Sequence, residues 1–333
     1  MLKKFLVSAA HSAPISGLIT QMERVDTRST NLLRVLTYHR VAEPGKTPHL
    51  YPRVTVTPQA FEQQMRYLAD AYQVVSMEDV LRVVQEGGSF PRRPVLITFD
   101  DAYRDFAENA LPVLQRYYLP AALFVPTAFP GHPKRAFWWD RLYAAVEHAQ
   151  DLGDVRTPAG IKPVRTAAQR EAVFTILRDY IKSIPHQQAM QWVDDFCHEV
   201  EAPECAGEVL SWDELRAVAR QNVTLGAHTR THPMMSQISS AEIRAETVGS
   251  MNDLRAEIGE VLPTFAYPSG GYTREVMEIL KEEGVQLAFT TNRGHNDLRQ
   301  MDKLQIKRIN VGPKTSLSLL RAQLLGWTSS FTR

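Results

Sequence analysis

The chain is short of several things, and each shortage closes off a class of function. Among 333 residues only two are cysteines, Cys197 and Cys205. They allow one bridge at most, so no disulfide framework can hold the fold, and the redox compartment stays open. Charge of one sign is also missing. Thirty-eight Lys and Arg against 37 Asp and Glu leave a net +1, and no basic block offers a footprint for nucleic acid or anionic lipid. No run approaches the roughly 18 apolar residues that a membrane span requires. No GxGxxG follows the first strand and no GxxxxGK[ST] occurs, so dinucleotide and P-loop readings have no support. Internal repeats and low-complexity tracts are absent as well.

What is present is ordinary for a folded chain, with 44% hydrophobic and 23% charged residues. The length suits one large α/β domain of the barrel type or two modest domains. At the N-terminus, Lys3 and Lys4 precede the apolar Phe5-Leu6-Val7-Ser8-Ala9-Ala10. His11, Ser12 and Pro14 interrupt that run early, which favours an N-terminal helix on a cytoplasmic protein over an export signal. Residues 1–30 are read as this separate segment and residues 31–333 as the main domain.

From there short apolar runs alternate with helical patterns. Val35 to Tyr38 reads as a strand, followed by a loop with Pro44, Pro48 and Pro52. Thr57-Pro58 opens a helix with a cap and a first-turn proline. Ser76 with Asp79 resembles a capping box for the next helix, which Gly87-Gly88 ends. Pro94 to Phe99 is almost entirely apolar, as expected of a strand buried on both faces of a parallel sheet. A helix carrying Phe106, Ala110, Val113 and Tyr117 follows. Further strands are expected at Ala121–Val125, Val223–Ala227, Pro263–Tyr267, Gln286–Thr290 and Gln305–Asn310. Strand–helix alternation of this length predicts an α/β fold, a distorted (β/α) barrel of about seven to eight strands. The stretch from about 131 to 209 breaks the rhythm. Its patterns read as helical throughout, so it is expected to be a helical insertion standing as a lid or wall near the site. Its Phe137, Trp138 and Trp139 form an aromatic cluster that suits a core more than a sugar platform.

Four segments carry candidate chemistry, and each ends an expected strand. Asp100-Asp101 closes Thr98-Phe99 at the C-terminal face, where barrels place catalytic groups. Two adjacent carboxylates there repel unless a cation neutralises them, although a capping aspartate would be the plainer reading. His228 and His232 follow Gly226-Ala227 at i and i+4, which would put both imidazoles on one face of a helical turn. Two nitrogens and one carboxylate oxygen with an open fourth position make the donor set of a catalytic zinc site. Cys197, His198 and Cys205 lack such spacing and are discounted. Tyr267-Pro268-Ser269-Gly270-Gly271 runs a strand into a glycine turn whose backbone N–H groups can face a ligand. Tyr38-His39-Arg40-Val41 ends the first strand at the same barrel mouth.

Taken in order and spacing, Thr98-Phe99-Asp100-Asp101, His228-Thr229-x-x-His232 and Tyr267-Pro268-x-Gly270 resemble the polysaccharide deacetylases of carbohydrate esterase family 4, the NodB-homology domain. The resemblance covers roughly Leu33 to Val311 apart from the insertion. Tyr38-His39-x-Val41 is further similar to the poly-N-acetylglucosamine deacetylase subgroup, in which a motif usually found late in the chain stands at the start. The resemblance implies a divalent metal, zinc first, on Asp101, His228 and His232. It makes Asp100 the general base and His39 the general acid. Tyr267, Pro268 and Ser269 would face oxyanion and substrate, with the backbone around Pro268-Ser269 holding the oxyanion. The implied partner is an N-acetylated glycan or glycoconjugate, with no nucleic acid and no membrane span. Three residues depart from the family pattern. Ala102 replaces the glycine usual after the aspartate pair, and Ser269 replaces an aromatic. Ala266 replaces an arginine, so the group that orients Asp100 has to come from elsewhere. A non-catalytic carbohydrate-binding protein, and an amidase or deformylase on a lipid-linked sugar or small molecule, are the alternative readings.

Overall fold

A computed structural model describes residues 31–325 except 48 and 91; the N-terminal helix expected within residues 1–30 lies outside the described residues. In chain order the strands are β1 (Leu32–Tyr38), β2 (Arg40–Val41), β3 (Thr55–Val56), β4 (Gln73–Val74), β5 (Pro94–Phe99), β6 (Ala121–Val125), β7 (Asp154–Thr157), β8 (Gly160–Pro163), β9 (Val223–Ala227), β10 (Thr264–Ala266), β11 (Leu287–Arg293), β12 (Asn296–Asp297) and β13 (Ile306–Asn310). The helices are α1 (Pro58–Ala71), α2 (Met77–Glu86), α3 (Leu111–Arg116), α4 (Trp138–His148), α5 (Ala167–Ile181), α6 (His186–Glu199), α7 (Trp212–Ala219), α8 (Ser240–Ile258), α9 (Arg274–Glu282) and α10 (Leu317–Leu324).

Seven of the strands close on themselves. The order β1-β5-β6-β9-β10-β11-β13 returns to β1, and every pairing in the ring is parallel. This is a distorted (β/α) barrel, as the alternation of patterns leads one to expect. The seam joins the first and last strands, with Leu36 opposite Ile309 and Thr37 opposite Asn310. β4 lies outside the ring on β5, and β12 pairs antiparallel with β1.

Local chemistry sets the helix ends. The Thr57 side chain accepts the Ala60 N–H with Pro58 in the first turn. Ser76 and Asp79 form the reciprocal capping box of α2, and Gly87 ends that helix at φ 73°. The helix expected around Phe106 instead begins as a π-helical turn over Phe106–Ala110 before α3 continues it. Pro112 contributes to that register, because it cannot donate the backbone bond a regular turn would need.

Side-chain alternation along the strands divides the interior from the helical layer. Leu33, Val35, Leu96, Ala122, Phe124, Leu287, Phe289 and Ile306 form one apolar cluster, joined by Met77, Val80 and Leu81 of α2. Their strand neighbours Val95, Ile97, Phe99, Leu123 and Val125 belong to the larger cluster packed under the outer helices. Continuing the inward parity of β1, β5 and β9 toward their C-termini leads to His39, Asp100 and His228. The inward period, more than any loop, aims these three side chains at the barrel mouth.

The segment between β6 and β9 is not helical throughout. It holds α4, α5, α6 and α7, but an antiparallel hairpin of β7 and β8 sits between α4 and α5, with Thr157 opposite Gly160. Strands of four residues with largely exposed faces leave little apolar alternation to read. Phe137 and Trp139 are buried, as a core cluster should be, and their rings stack at 4.4 Å.

Candidate metal centre and active site

Asp100 and Asp101 stand side by side at the end of β5 and face different partners. Asp100 is the inward residue. Arg308 of β13 meets it with both amino groups, Nη1 to Oδ1 at 2.8 Å and Nη2 to Oδ2 at 2.7 Å. The guanidinium is itself fixed by donation from Nε to the Thr290 carbonyl at 2.8 Å. Arg308 and Asp100 are both buried, so this is a desolvated, bidentate ion pair. Burial alone would push the Asp100 carboxyl up. Arg308, by its charge and its hydrogen bonds, is the chief influence opposing burial, and the carboxyl is held below the usual carboxylate range. Arg308 therefore fills the role left open by Ala266, and it does so from a strand 208 positions further along.

Asp101 turns the other way. Its backbone and that of Ala102 are left-handed, at φ 73° and 53°. The turn that glycine commonly serves is made here by an alanine. Asp101 Oδ1 lies 3.4 Å from His228 Nε2 and 3.3 Å from His232 Nε2, and the three ligand atoms fall within 4.8 Å of one another. His228 Nδ1 is 2.7 Å from the Ala266 carbonyl, which can only accept, so that nitrogen carries the proton. In the neutral imidazole, the form that ligates a metal, Nε2 then presents its lone pair to the carboxylate. Asp101 Oδ1 is buried with no hydrogen-bond partner. Facing lone pairs in a dry site repel, and a divalent cation between them removes the conflict. On this chemistry the three residues fit a metal.

The two histidines converge without the helical turn expected of an i, i+4 pair. Residues 228–232 form a loop with Thr229 at φ 64° and His232 at φ 60°. The Thr229 hydroxyl accepts the His232 N–H at 3.0 Å across the bend. Glu246 of α8 takes three bonds from the loop: from the Arg230 N–H at 2.7 Å, the Thr231 N–H at 2.9 Å and the Thr231 hydroxyl at 2.6 Å. Nothing in the pattern of α8 marks Glu246 as more than a surface residue. Of the eight left-handed non-glycine residues among those described, five (Asp101, Ala102, Thr229, His232 and Ser269) sit here. Strain gathered in this way is characteristic of functional sites.

His39 follows β1 directly. Tyr38 is in register with Phe99, and the Asp100 N–H donates to the Tyr38 carbonyl at 3.0 Å. His39 is thereby level with Asp100 on the neighbouring strand, close enough to bear on both aspartates. After β10 the chain enters one helical turn, Pro268–Gly270, in which Ser269 is left-handed at φ 52°. The Ser269 N–H is a first-turn donor of the kind such a turn leaves without an internal acceptor. Tyr267 has its polar groups engaged within the barrel: its hydroxyl donates to the Leu304 carbonyl at 2.9 Å, its N–H donates to the Phe289 carbonyl at 3.0 Å, its carbonyl accepts the Gly270 N–H at 3.0 Å, and its ring stacks on Tyr272. The wall beside His232 is made by the segment between β6 and β9, with the Trp139 ring 4.7 Å from the imidazole.

Comparison with known proteins gives the family and the fold. The family model described as polysaccharide deacetylase matches residues 87–288. His39 and Arg308 both fall outside that match. A poly-beta-1,6-N-acetyl-D-glucosamine N-deacetylase of Staphylococcus epidermidis is 29% identical over 134 residues, 36% of this chain and 46% of that protein. The chain thus matches less than half of that relative's length. Among solved structures, the Streptococcus pyogenes deacetylase PplD in complex with acetate superposes with a TM-score of 0.59 at 20% identity, over 88% of this chain and 98% of that one. IcaB from Ammonifex degensii gives 0.58 at 20% identity, over 89% and 97%. At such identities the two structures establish a shared barrel.

Proposed function

We propose, from the premise that the chain belongs to the polysaccharide deacetylase family, that it hydrolyses N-acetyl groups from an amino-sugar polysaccharide or glycoconjugate. The observation that carries this reading is the pair of unlike aspartates: one faces two imidazoles, and its neighbour is held ionised by a buried arginine. The relatives' printed names favour a polymer of N-acetylglucosamine as substrate.

Asp101, His228 and His232 would hold the metal. Two imidazoles and one carboxylate suit zinc, which when bound supplies Lewis acidity at the acyl oxygen and draws the pKa of water towards about 7. The remaining work falls to the chain's own groups. Asp100, kept ionised by Arg308, accepts the proton of the attacking water. The Ser269 N–H donates to the oxygen that gains charge as the acetamide carbon becomes tetrahedral, a contact typically worth about 3 kcal/mol. His39, protonated, gives its proton to the departing nitrogen, because an amine leaves a tetrahedral carbon only once protonated. Acetate and a free amino sugar result.

The test is mass spectrometry of a panel of N-acetylated and N-formylated glycans after incubation with zinc-loaded protein, with a chelated sample alongside. Loss of acetyl groups in the first sample only is expected. Unchanged masses across the panel, or full turnover by demonstrably metal-free protein, would refute the proposal.

A further inference from the structure

The chain between β6 and β9 grips the Asp101 turn from both of its ends. Near its exit, the Glu208 carbonyl accepts the Arg104 N–H at 2.7 Å, and the Ala102 carbonyl accepts the Leu210 N–H at 3.0 Å. At its entrance, Asp140 lies buried in the first turn of α4 with both carboxylate oxygens occupied. Oδ2 accepts the Tyr103 hydroxyl at 2.7 Å and Oδ1 accepts the Tyr51 N–H at 2.8 Å. The Tyr103 hydroxyl in turn accepts the Trp139 indole N–H at 2.8 Å. Trp139 meets the His232 imidazole roughly edge to face, and its other side is fixed by the stacked ring of Phe137. Tyr103 is two residues beyond Asp101. One hydrogen-bonded chain, Trp139 to Tyr103 to Asp140, therefore connects the surroundings of two of the three metal-facing residues.

We propose that Asp140 is a positioning residue for the metal centre, acting through Tyr103 and Trp139 to fix the His232 ring and the left-handed turn at Asp101. The inserted segment is then part of the site's construction and not only its wall. None of these three groups reaches the reacting atoms. Their effect is to remove freedom from ligands that must converge within a narrow geometry. Groups that orient metal ligands in this way typically govern about 10–100-fold in metal affinity. The inference rests on the metal reading given above.

Zinc affinity of the full chain, measured by competition with a chromogenic chelator well below the melting temperature, separates this role from plain stabilisation. Tyr103→Phe, which deletes only the hydroxyl, and Trp139→Phe, which keeps a ring but loses the N–H, are each expected to bind zinc about 10–100-fold more weakly. The double variant should lose less than the product of the two, because both cut one chain. Cobalt in place of zinc should show an altered visible spectrum in the same variants. Asp140→Asn should behave similarly, and if it fails to fold, the two aromatic variants decide. Lowered melting temperatures with unchanged zinc affinity would overturn the proposal. Native protein that binds no zinc would overturn the metal reading and this inference with it. Zinc binding without deacetylation would refute only the substrate assignment.

Discussion

Replacing Arg308 with methionine would test whether the base is made by its partner. Methionine keeps the unbranched length inside the barrel and removes both bonds to Asp100 and the bond to Thr290. Removing one member of a buried ion pair typically costs about 3–5 kcal/mol, because the other charge stays behind unpaired. In the native chain the Asp100 pKa lies below its ordinary 3.8. Its ionisation therefore stabilises the fold above about pH 4, and that contribution fades as the pH falls through the folded value. Without Arg308, burial dominates and the folded pKa moves above the unfolded one. The sign inverts, so the contribution from Asp100 is now present at low pH and lost as the pH rises. Catalysis should follow, each unit by which the base stands above the assay pH costing about tenfold in its ionised fraction. Urea unfolding and kcat/KM measured across pH would show both effects, with the acid limb of activity displaced upward. Asp100→Asn on the Arg308→Met background should recover at least about 2 kcal/mol, since it removes the stranded charge. If the double variant is no more stable than Arg308→Met, and the acid limb has not moved, the ion pair does not control the base.

Three further outcomes follow from the same geometry. Asp101→Asn should lose metal affinity, whereas Asp100→Asn should retain the metal and lose turnover; equal metal loss in both, by elemental analysis, would mean that the two roles are misassigned. His39→Ala should keep the fold and bound zinc while lowering kcat by about 10²–10⁴, with a smaller loss on activated esters that need less protonation of the leaving group. Wild-type rates on acetamides would place the acid elsewhere. Gly270→Ala should destabilise by about 1–2 kcal/mol from its left-handed backbone at φ 71° alone, and thermal melts should show more, because the added Cβ would collide with Thr291 Oγ1.

The parts of this site that a reader can take from the sequence are those whose signal is local. Asp100, His39 and His228 each continue the two-residue period of a strand, and Ser76 caps its helix with a residue three positions away. Arg308 gives no such sign. In Ile306-Lys307-Arg308-Ile309 it looks like one of two ordinary cations, and only closure of the barrel shows it to be the inward one. The histidine loop misleads for a related reason. A spacing of four fits a helical turn, yet β6 and Glu246 hold the backbone in a left-handed path that brings the rings together another way. The β7–β8 hairpin goes unseen because its strands face water and carry almost no apolar pattern.

The seam between β1 and β13 has a consequence for how the protein comes into being. A ribosome delivers β1 first and β13 last among the ring strands, so the ring stays open until residues 306–310 have emerged. An arrested chain ending before residue 306 would expose β11 and the part of β1 beyond its pairing with β12, around Leu36 and Thr37, as edges ready to pair with other chains. It would also lack the only guanidinium that contacts Asp100 among the described residues. Incomplete products would therefore be sticky and would lack the partner of Asp100 together, and full activity is expected only when the last strand docks beside the first.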